Sequence, residues 1–315
     1  MIKITRRQFL ALSSAAAGAV LLGSGCAGPP VATAPRRQLP VAPSGDQAYL
    51  AVARGADPAE ITKRAIAALG GIERFVKSGH DVIIKPNICV DYHPAEYAAT
   101  TNPIVVATLV SLCLGAGAKR VQVMDMPFGG MPDSAYAVSG IGDAVKDAGG
   151  EMEVMSRVKF VKTVIPEGRD ITEWEIYQDA LKADVLINVP IAKHHSLARL
   201  TLGSKNLLGL VSKPSGIHRN LGQRVADLAS LIRPTLTVVD AVRILTAHGP
   251  TGGSLNDVKE TNTVIASHDL VAADAYGATL FGLIGPDIAY IKAGAEIGLG
   301  TLDLKSIKVE EISTL

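Results

Sequence analysis

Short runs rich in Val, Ile and Leu alternate with longer Ala- and Leu-rich segments along most of this 315-residue chain. The runs at 82–84 and 185–187 contain only these three residue types, which is typical of parallel strands buried on both faces. Asp57-Pro58 precedes one Ala-rich segment, and this pair favours the first turn of a helix. The alternation predicts an α/β fold in which helices flank a mostly parallel sheet.

The first 26 residues have the three-part pattern of a signal peptide. Arg6 and Arg7 directly precede a short apolar stretch at 9–22, and small residues then lead to Cys26. This pattern predicts a twin-arginine signal, with the translocase as export partner. The alternative is an ordinary secretory signal in which the two arginines occur by chance. The stretch is shorter than the roughly 20 apolar residues of a transmembrane helix, so we expect membrane contact only through the N-terminus. Cys26 is a candidate lipidation site; the alternatives are release or anchoring by the retained signal.

A proline-rich segment separates the signal from the body of the chain. Residues 27–45 contain five prolines with Ala, Gly and Ser, and such a segment buries too little apolar surface to fold. We therefore predict a disordered linker there and one α/β domain over 46–315. Five basic residues precede 46; subtracting them from 31 Lys and Arg leaves 26 against 30 Asp and Glu, near −4. This balance argues against a nucleic-acid binder, which carries a basic excess.

Polar residues stand where several predicted strands end, namely Lys85, Asn87, Asp125, Asn188 and Asp240. In open α/β sheets, ligands bind outside the carboxyl ends of the strands, so the pattern predicts that these residues meet at one crevice. The alternative is that Asp and Asn merely form turns and helix caps. Lys85 does not fit that alternative, because a lysine on a buried strand needs a partner.

The densest group of chemically active residues lies between 188 and 209. Gly203-Ser204 before a helix start exposes backbone N–H groups that suit a phosphate or carboxylate. Lys205 is a candidate to pair with that anion or to act as a nucleophilic amine. His194 and His195 are candidate general bases or metal ligands. The alternative interpretation is a basic loop solvated at the surface.

Three later clusters carry less specific signals. They are His218 to Asn220 with Asp227, the glycine-rich turn 248–253, and Ser267 to Asp274. Each is also explained by turns and helix caps, and the glycine-rich turn lacks the lysine of a P-loop.

Beyond Cys26 the chain has only Cys89 and Cys113. Two thiols cannot supply the four ligands of a usual iron–sulfur cluster, so we do not expect one. Whether these two cysteines form a disulfide is left open by their spacing.

Together these residues resemble the family called domain of unknown function 362, over about residues 48–290. The resemblance is carried by Lys85-Pro86-Asn87, Thr101-Asn102-Pro103, Lys193-His194-His195, Gly203-Ser204-Lys205-Asn206-Leu207-Leu208-Gly209, and the series His218, Asp227, Asp240 and Gly249-Pro250. It implies a shared fold and site without an agreed activity. Some members are labelled iron–sulfur proteins, but this chain lacks their cysteines.

A remoter resemblance concerns His195 and Lys205, which are ten residues apart with Gly and Ser between them. This segment is similar to one in nickel-pincer lactate racemases, where a histidine and a cofactor-bearing lysine lie close together. The resemblance implies a cofactor at Gly203, Ser204 and Lys205. It also implies a metal held by His195 and His218, although the spacing of His218 departs from the racemase pattern.

Two hypotheses follow. In the first, the chain is an exported enzyme that acts on a small anion by Lys/His acid–base chemistry, with or without a divalent metal or another cofactor. Its catalytic residues are Lys85, His195, Lys205 and Asp240, and its substrate-binding residues are Asn87, Lys193, His194 and Asn206. In the second, the chain is a non-catalytic lipoprotein that binds an anion or a metal. An enzyme needs a group whose pKa is shifted towards the working pH, whereas a binding protein needs only complementary charge.

Overall fold

The computed structural model describes Thr33, Arg37 and residues 47–314. The predicted signal peptide over 1–26, the candidate lipidation site Cys26, and the predicted linker apart from Thr33 and Arg37 lie outside the described residues. Within the part of the chain that is described, no helix is long and apolar enough to cross a membrane.

In the described part of the chain, ten strands form the central sheet, and two more form a separate hairpin. The strands are β1 (Leu50–Arg54), β2 (Asp81–Pro86), β3 (Arg120–Val123), β4 (Glu151–Met152), β5 (Phe160–Val164), β6 (Glu173–Tyr177), β7 (Val185–Val189), β8 (Ile191–His195), β9 (Arg199–Thr201), β10 (Leu236–Leu245), β11 (Val258–Ser267) and β12 (Val309–Ser313). The sheet order is β12-β1-β11-β10-β7-β2-β3-β4, with β8 beside β10 and β9 beside β8. β11 is antiparallel to β1 and β10, whereas β10, β7, β2, β3 and β4 pair in parallel. The hairpin joins β5 and β6.

Helices cover both faces of this sheet. They are α1 (Pro58–Ala68), α2 (Pro103–Gly115), α3 (Pro132–Val138), α4 (Ile141–Asp147), α5 (Gln178–Lys182), α6 (Gly203–Asn206), α7 (Leu221–Ile232), α8 (Leu270–Thr279) and α9 (Ala289–Glu296). The prediction for α1 is confirmed at its first turn, where Asp57 Oδ1 accepts a 2.8 Å hydrogen bond from the Ala59 N–H. Proline follows Asp57 directly, at a position where a helix needs no N–H donor.

Strand residues alternate between two apolar layers, one on each face. Ile83 and Leu186 pack with α7, α8 and α9, whereas their neighbours Ile84 and Ile187 pack with α1, α2 and α4. The alternation follows from the two-residue period of a strand. The predicted α/β fold, with a mostly parallel sheet flanked by helices, is therefore confirmed.

Arg37, within the predicted linker, contacts the domain. Its guanidinium donates hydrogen bonds to the carbonyls of Ala180, Ala183, Ile232 and Arg233. These carbonyls lie at the C-terminal ends of α5 and α7, where helix dipoles favour a cation.

Cys89 and Cys113 are both buried and free, so they do not form a disulfide with each other.

Candidate active site

A cavity of about 490 Å³ opens at the carboxyl ends of β2 and β3 and beside β8. β2 and β3 are adjacent and parallel, so the loops that follow them leave the same edge of the sheet. The polar residues that line the cavity are Lys85, Asn87, Cys89, Asp125, Lys193, His195, Ser196, Thr201, Lys205, Asn206, Ser215 and His218. The prediction that strand-end residues meet at one crevice is therefore met by Lys85, Asn87 and Asp125.

Lys85 and Asp125 form an ion pair at the base of the cavity. Lys85 Nζ lies 2.8 Å from Asp125 Oδ1 and donates to Asn206 Oδ1 at 2.9 Å. Burial lowers the pKa of Lys85 and raises that of Asp125, while their mutual attraction opposes both changes. A Cβ on Gly209 would collide with both charged groups, so any other residue there would have to displace the pair.

Asn206 links the strand ends to one another. Its Oδ1 accepts from Asn87 Nδ2 at 2.9 Å, and its Nδ2 donates to Asn188 Oδ1 at 2.9 Å. Lys193 Nζ extends the network by donating to Asn87 Oδ1 at 2.9 Å and to the Ala99 carbonyl at 2.6 Å. Lys193 is thus fully buried, and within the described residues its acceptors are all neutral, so hydrogen bonds solvate its charge but no carboxylate neutralises it.

Lys205 faces the cavity from α6, and among the described residues its amine forms no hydrogen bond or ion pair. Burial is the main cause that lowers the pKa of Lys205 to about 8, and repulsion from Lys193 and Lys85 acts in the same direction. Thr201, 4% exposed, also lines the cavity, and its Oγ1 has no hydrogen-bond partner among the described residues. Buried polar atoms are normally paired, so these two groups indicate a polar ligand.

His195 is held in one tautomer by the backbone. Its Nδ1 accepts from the N–H groups of Leu197 and Ala198 at 3.1 and 3.3 Å. The proton of the neutral ring therefore lies on Nε2, which makes Nε2 a donor. Burial is the main cause that lowers the pKa of His195 to about 3, and repulsion from Lys205 and Lys193 acts in the same direction. At neutral pH His195 is an uncharged hydrogen-bond donor.

The structure does not bring every predicted residue to the cavity wall. His194 is adjacent in β8 to Lys193 and His195 and points to the other side, where its Nδ1 accepts from the Gly249 N–H at 3.1 Å. Asp240 is buried elsewhere and accepts from the N–H groups of Asn102 and Val242 at 2.7 and 3.0 Å. Burial raises the pKa of Asp240 to about 6, but its carboxylate does not line the cavity.

The backbone N–H groups of Gly203 and Ser204 do bind a carboxyl group, but that group belongs to the protein. Asp274 accepts from Gly203 N at 2.6 Å and from Ser204 N at 2.8 Å. The start of α6 is therefore capped by a carboxylate from α8 and does not face the cavity. Asp227 is likewise structural, because it accepts from the N–H groups of residues 169–171.

The donor set does not fit a metal held by His195 and His218. His218 lines the cavity, but His195 carries its proton on the nitrogen that would bind the metal. Within the described part of the chain, no group of three or more His, Cys, Asp or Glu is placed to hold a metal ion. The metal role of the two histidines stays a prediction.

Thr201 and Asp274 are the polar residues whose roles here sequence reasoning missed. Thr201 lies in a three-residue strand, where threonine is common for reasons unrelated to ligands. Asp274 is 70 residues from Ser204, and no local pattern indicates their contact. Only the spatial arrangement identifies either one.

A family model described as "Domain of unknown function (DUF362)" matches residues 82–279, which include the whole hydrogen-bond network above. The chain is similar to the thylakoid-associated protein sll1697 of Synechocystis sp., with 29% identity over 246 residues that cover 73% of this chain and 72% of that protein. Among solved structures it is similar to the lactate racemase apoprotein of Thermoanaerobacterium thermosaccharolyticum, with a TM-score of 0.45 and 12% identity. That match covers 73% of this chain and only 56% of the racemase chain.

Proposed function

This chain belongs to the DUF362 family, a domain of unknown function, and we propose that it is an enzyme that binds a small anion in the cavity and transfers a proton with Lys205. The family description names no activity, so the proposal rests on the site. The observation that carries it is the Lys205 amine, which faces the cavity without a partner among the described residues and has a pKa lowered to about 8.

The charges of the cavity favour an anionic ligand. Of the residues that the structure describes, three lysines and one carboxylate line it, and that carboxylate, Asp125, is paired with Lys85. Lys193 has only neutral acceptors, and Lys205 has no acceptor among the described residues. The resulting positive excess in a low-dielectric site attracts a carboxylate or phosphate more strongly than the same charges would in water.

Lys205 and His195 have complementary chemical roles. With a pKa of about 8, Lys205 is divided between ammonium and free amine just above neutral pH, as a general acid–base group requires. The Nε2–H of His195 supplies a neutral donor for an oxyanion that develops as a C–H proton moves to the amine. General acid–base catalysis of this kind contributes about 10²–10⁴-fold in rate.

A second candidate is a non-catalytic anion-binding protein. It is favoured by the absence of a free carboxylate on the described cavity wall, because Asp125 is already engaged by Lys85 and by the Ile88 N–H at 2.7 Å. A binding protein needs the positive excess but no mobile proton.

Exchange in D₂O distinguishes these functions. The purified protein is incubated with a panel of 2-oxo acids, and deuterium at the carbon next to the carbonyl is followed by NMR. We expect exchange with at least one acid, and a loss of 10²-fold or more in Lys205→Met. The matched control is Lys213→Met, at a side chain that is 82% exposed. Anion binding without exchange would favour the binding protein, and equal exchange by both variants would contradict the role of Lys205.

Export and lipidation are part of the same proposal, on the pattern of residues 1–26 alone. We propose transport by the twin-arginine translocase to the periplasmic or cell-surface side, with Cys26 as the lipid anchor. Changing Arg6 and Arg7 together to Lys is expected to keep the precursor inside the cell, whereas Lys3→Arg is not. Cys26→Ser is expected to abolish labelling by a radioactive fatty acid. If the variant with both arginines changed is still exported, the twin-arginine route is overturned. If the Cys26→Ser variant is still labelled, lipidation at Cys26 is overturned.

A further inference from the structure

We propose that the anion bound here is amphiphilic, with a charged head at Lys205 and an apolar body of several carbons that lies along the cavity wall towards its mouth. This inference rests on the anion site proposed above and adds the class of molecule that the site takes. It is carried by the apolar residues of the wall and rim.

The inner wall is continuous with the hydrophobic core. Met126 and Leu208 are half-buried, pack against the larger core cluster, and also line the cavity. Val211 is a member of that cluster and lines the same space. An apolar group that enters the cavity therefore meets packed hydrocarbon on its inner side, where leaving water is favourable.

The rim carries two large apolar side chains that the protein leaves in water. Phe128 is 72% exposed and Leu197 is 68% exposed, and both line the cavity. Phe128 lies on the loop after β3, and Leu197 on the turn between β8 and β9. Two separate loops thus present apolar groups at the opening of a cavity whose interior is cationic. This arrangement matches a ligand that is apolar at one end and anionic at the other.

The size of the cavity agrees with this assignment. Small-molecule sites are typically about 300–1,000 Å³ and bury most of a ligand's surface. At about 490 Å³ this cavity falls within that range, and an acid of two or three carbons would leave much of it unfilled. At the polar end, Lys205, Thr201 and His195 supply an ammonium, a hydroxyl without a partner among the described residues, and a ring N–H.

Isothermal titration calorimetry with two homologous series tests the proposal. The probes are acetate, butanoate, hexanoate and octanoate, and methyl, butyl and octyl phosphate, with octylamine as the apolar cation control. Affinity is expected to rise with chain length, by about fourfold for each methylene that becomes fully buried. The series that binds identifies the head group, and octylamine is expected not to bind.

Four variants separate this inference from the proposed function. Phe128→Ser and Leu197→Ser are expected to weaken octyl binding several-fold and to leave acetate or methyl phosphate unchanged. Val158→Ser, at an apolar side chain that is 87% exposed and does not line the cavity, is the matched control. Lys205→Met is expected to weaken the binding of every anion in both series. Circular dichroism confirms that each variant is folded.

If anions bind through Lys205 but chain length has no effect, or the two rim variants behave like the Val158→Ser control, the amphiphilic assignment is overturned and the proposed function stands. If Lys205→Met leaves all binding unchanged, or no anion binds, the anion site itself fails, and this inference fails with it.

Discussion

Lys85 and Asp125 form a buried ion pair that joins the ends of two adjacent parallel strands, with 2.8 Å between Nζ and Oδ1. Their side chains are 1% and 4% exposed, so neither charge is screened by bulk water. The pair holds the base of the cavity through Asn206, which also contacts Asn87 and Asn188. The shape of the site therefore depends on a charge interaction below it.

Removing one member of this pair should destabilise the fold. Lys85→Met leaves the Asp125 carboxylate buried without its counter-ion, and we expect a loss of about 3–5 kcal/mol in the free energy of unfolding. Asp125→Asn should have a comparable effect. The double variant should lose less free energy of unfolding than the two single variants lose when their losses are added. Urea denaturation measures all three. A single-variant loss below about 1 kcal/mol would show that the pair is not coupled in this way.

The reactivity of Lys205 should follow its lowered pKa. Only the free amine undergoes reductive methylation, so labelling of the peptide that contains Lys205 is expected to reach half its maximum near pH 8. The labelled peptide is quantified by mass spectrometry between pH 6 and 11, and it disappears in Lys205→Met. A bound anion should lower the rate by stabilising the ammonium. If the peptide is not labelled below about pH 10, the pKa of Lys205 is not lowered and the proposed acid–base role is contradicted.

His195 should stay neutral through the physiological range. Its folded pKa of about 3 lies below the unfolded value, so the unfolded chain binds the extra proton between about pH 6.5 and 3. Stability is therefore lost as the pH falls through that window, and His195→Gln should flatten the dependence. Side-chain ¹⁵N NMR provides the direct measurement, with protonated Nε2 and unprotonated Nδ1 from pH 5 to 8. A ring that titrates near pH 6.5 would contradict the lowered pKa, and a neutral ring protonated on Nδ1 would contradict the tautomer.

Asp274 should contribute more to the free energy of unfolding than an ordinary helix cap does. Asp274→Ala removes the acceptor of two buried N–H groups, and we expect a loss of about 2–3 kcal/mol, against about 1 kcal/mol for Asp57→Ala at α1. Burial raises the pKa of Asp274 to about 7, so the folded state binds more protons between about pH 4 and 7. This group's contribution falls as the pH rises through that window. Asp274→Asn should remove that slope, as urea denaturation across the window would show.

The strand-end residues Lys85, Asn87, Asp125 and Asn188 could be predicted to meet, because parallel strands in one sheet release their carboxyl ends at the same edge. Their link through Asn206 could not be predicted, because Asn206 does not follow a strand and reaches this edge from α6. Asp240 shows the limit of the same argument. It also follows a run of strand residues, but β10 continues to Leu245, so Asp240 lies within a strand and not at its end.

The sequence by itself determined the alternation of strands and helices, the cap of α1 and most of the polar residues at the edge of the sheet, because periodicity and capping depend on neighbours within a few positions. Only the tertiary structure decided which groups in the segment 188–209 face the cavity. His194 turns away by strand alternation, and the N–H groups of Gly203 and Ser204 are taken by Asp274 from a distant helix. Lys205 is left without a partner among the described residues. Whether a buried polar group is paired depends on contacts between residues far apart in the chain, and a linear pattern does not contain that information.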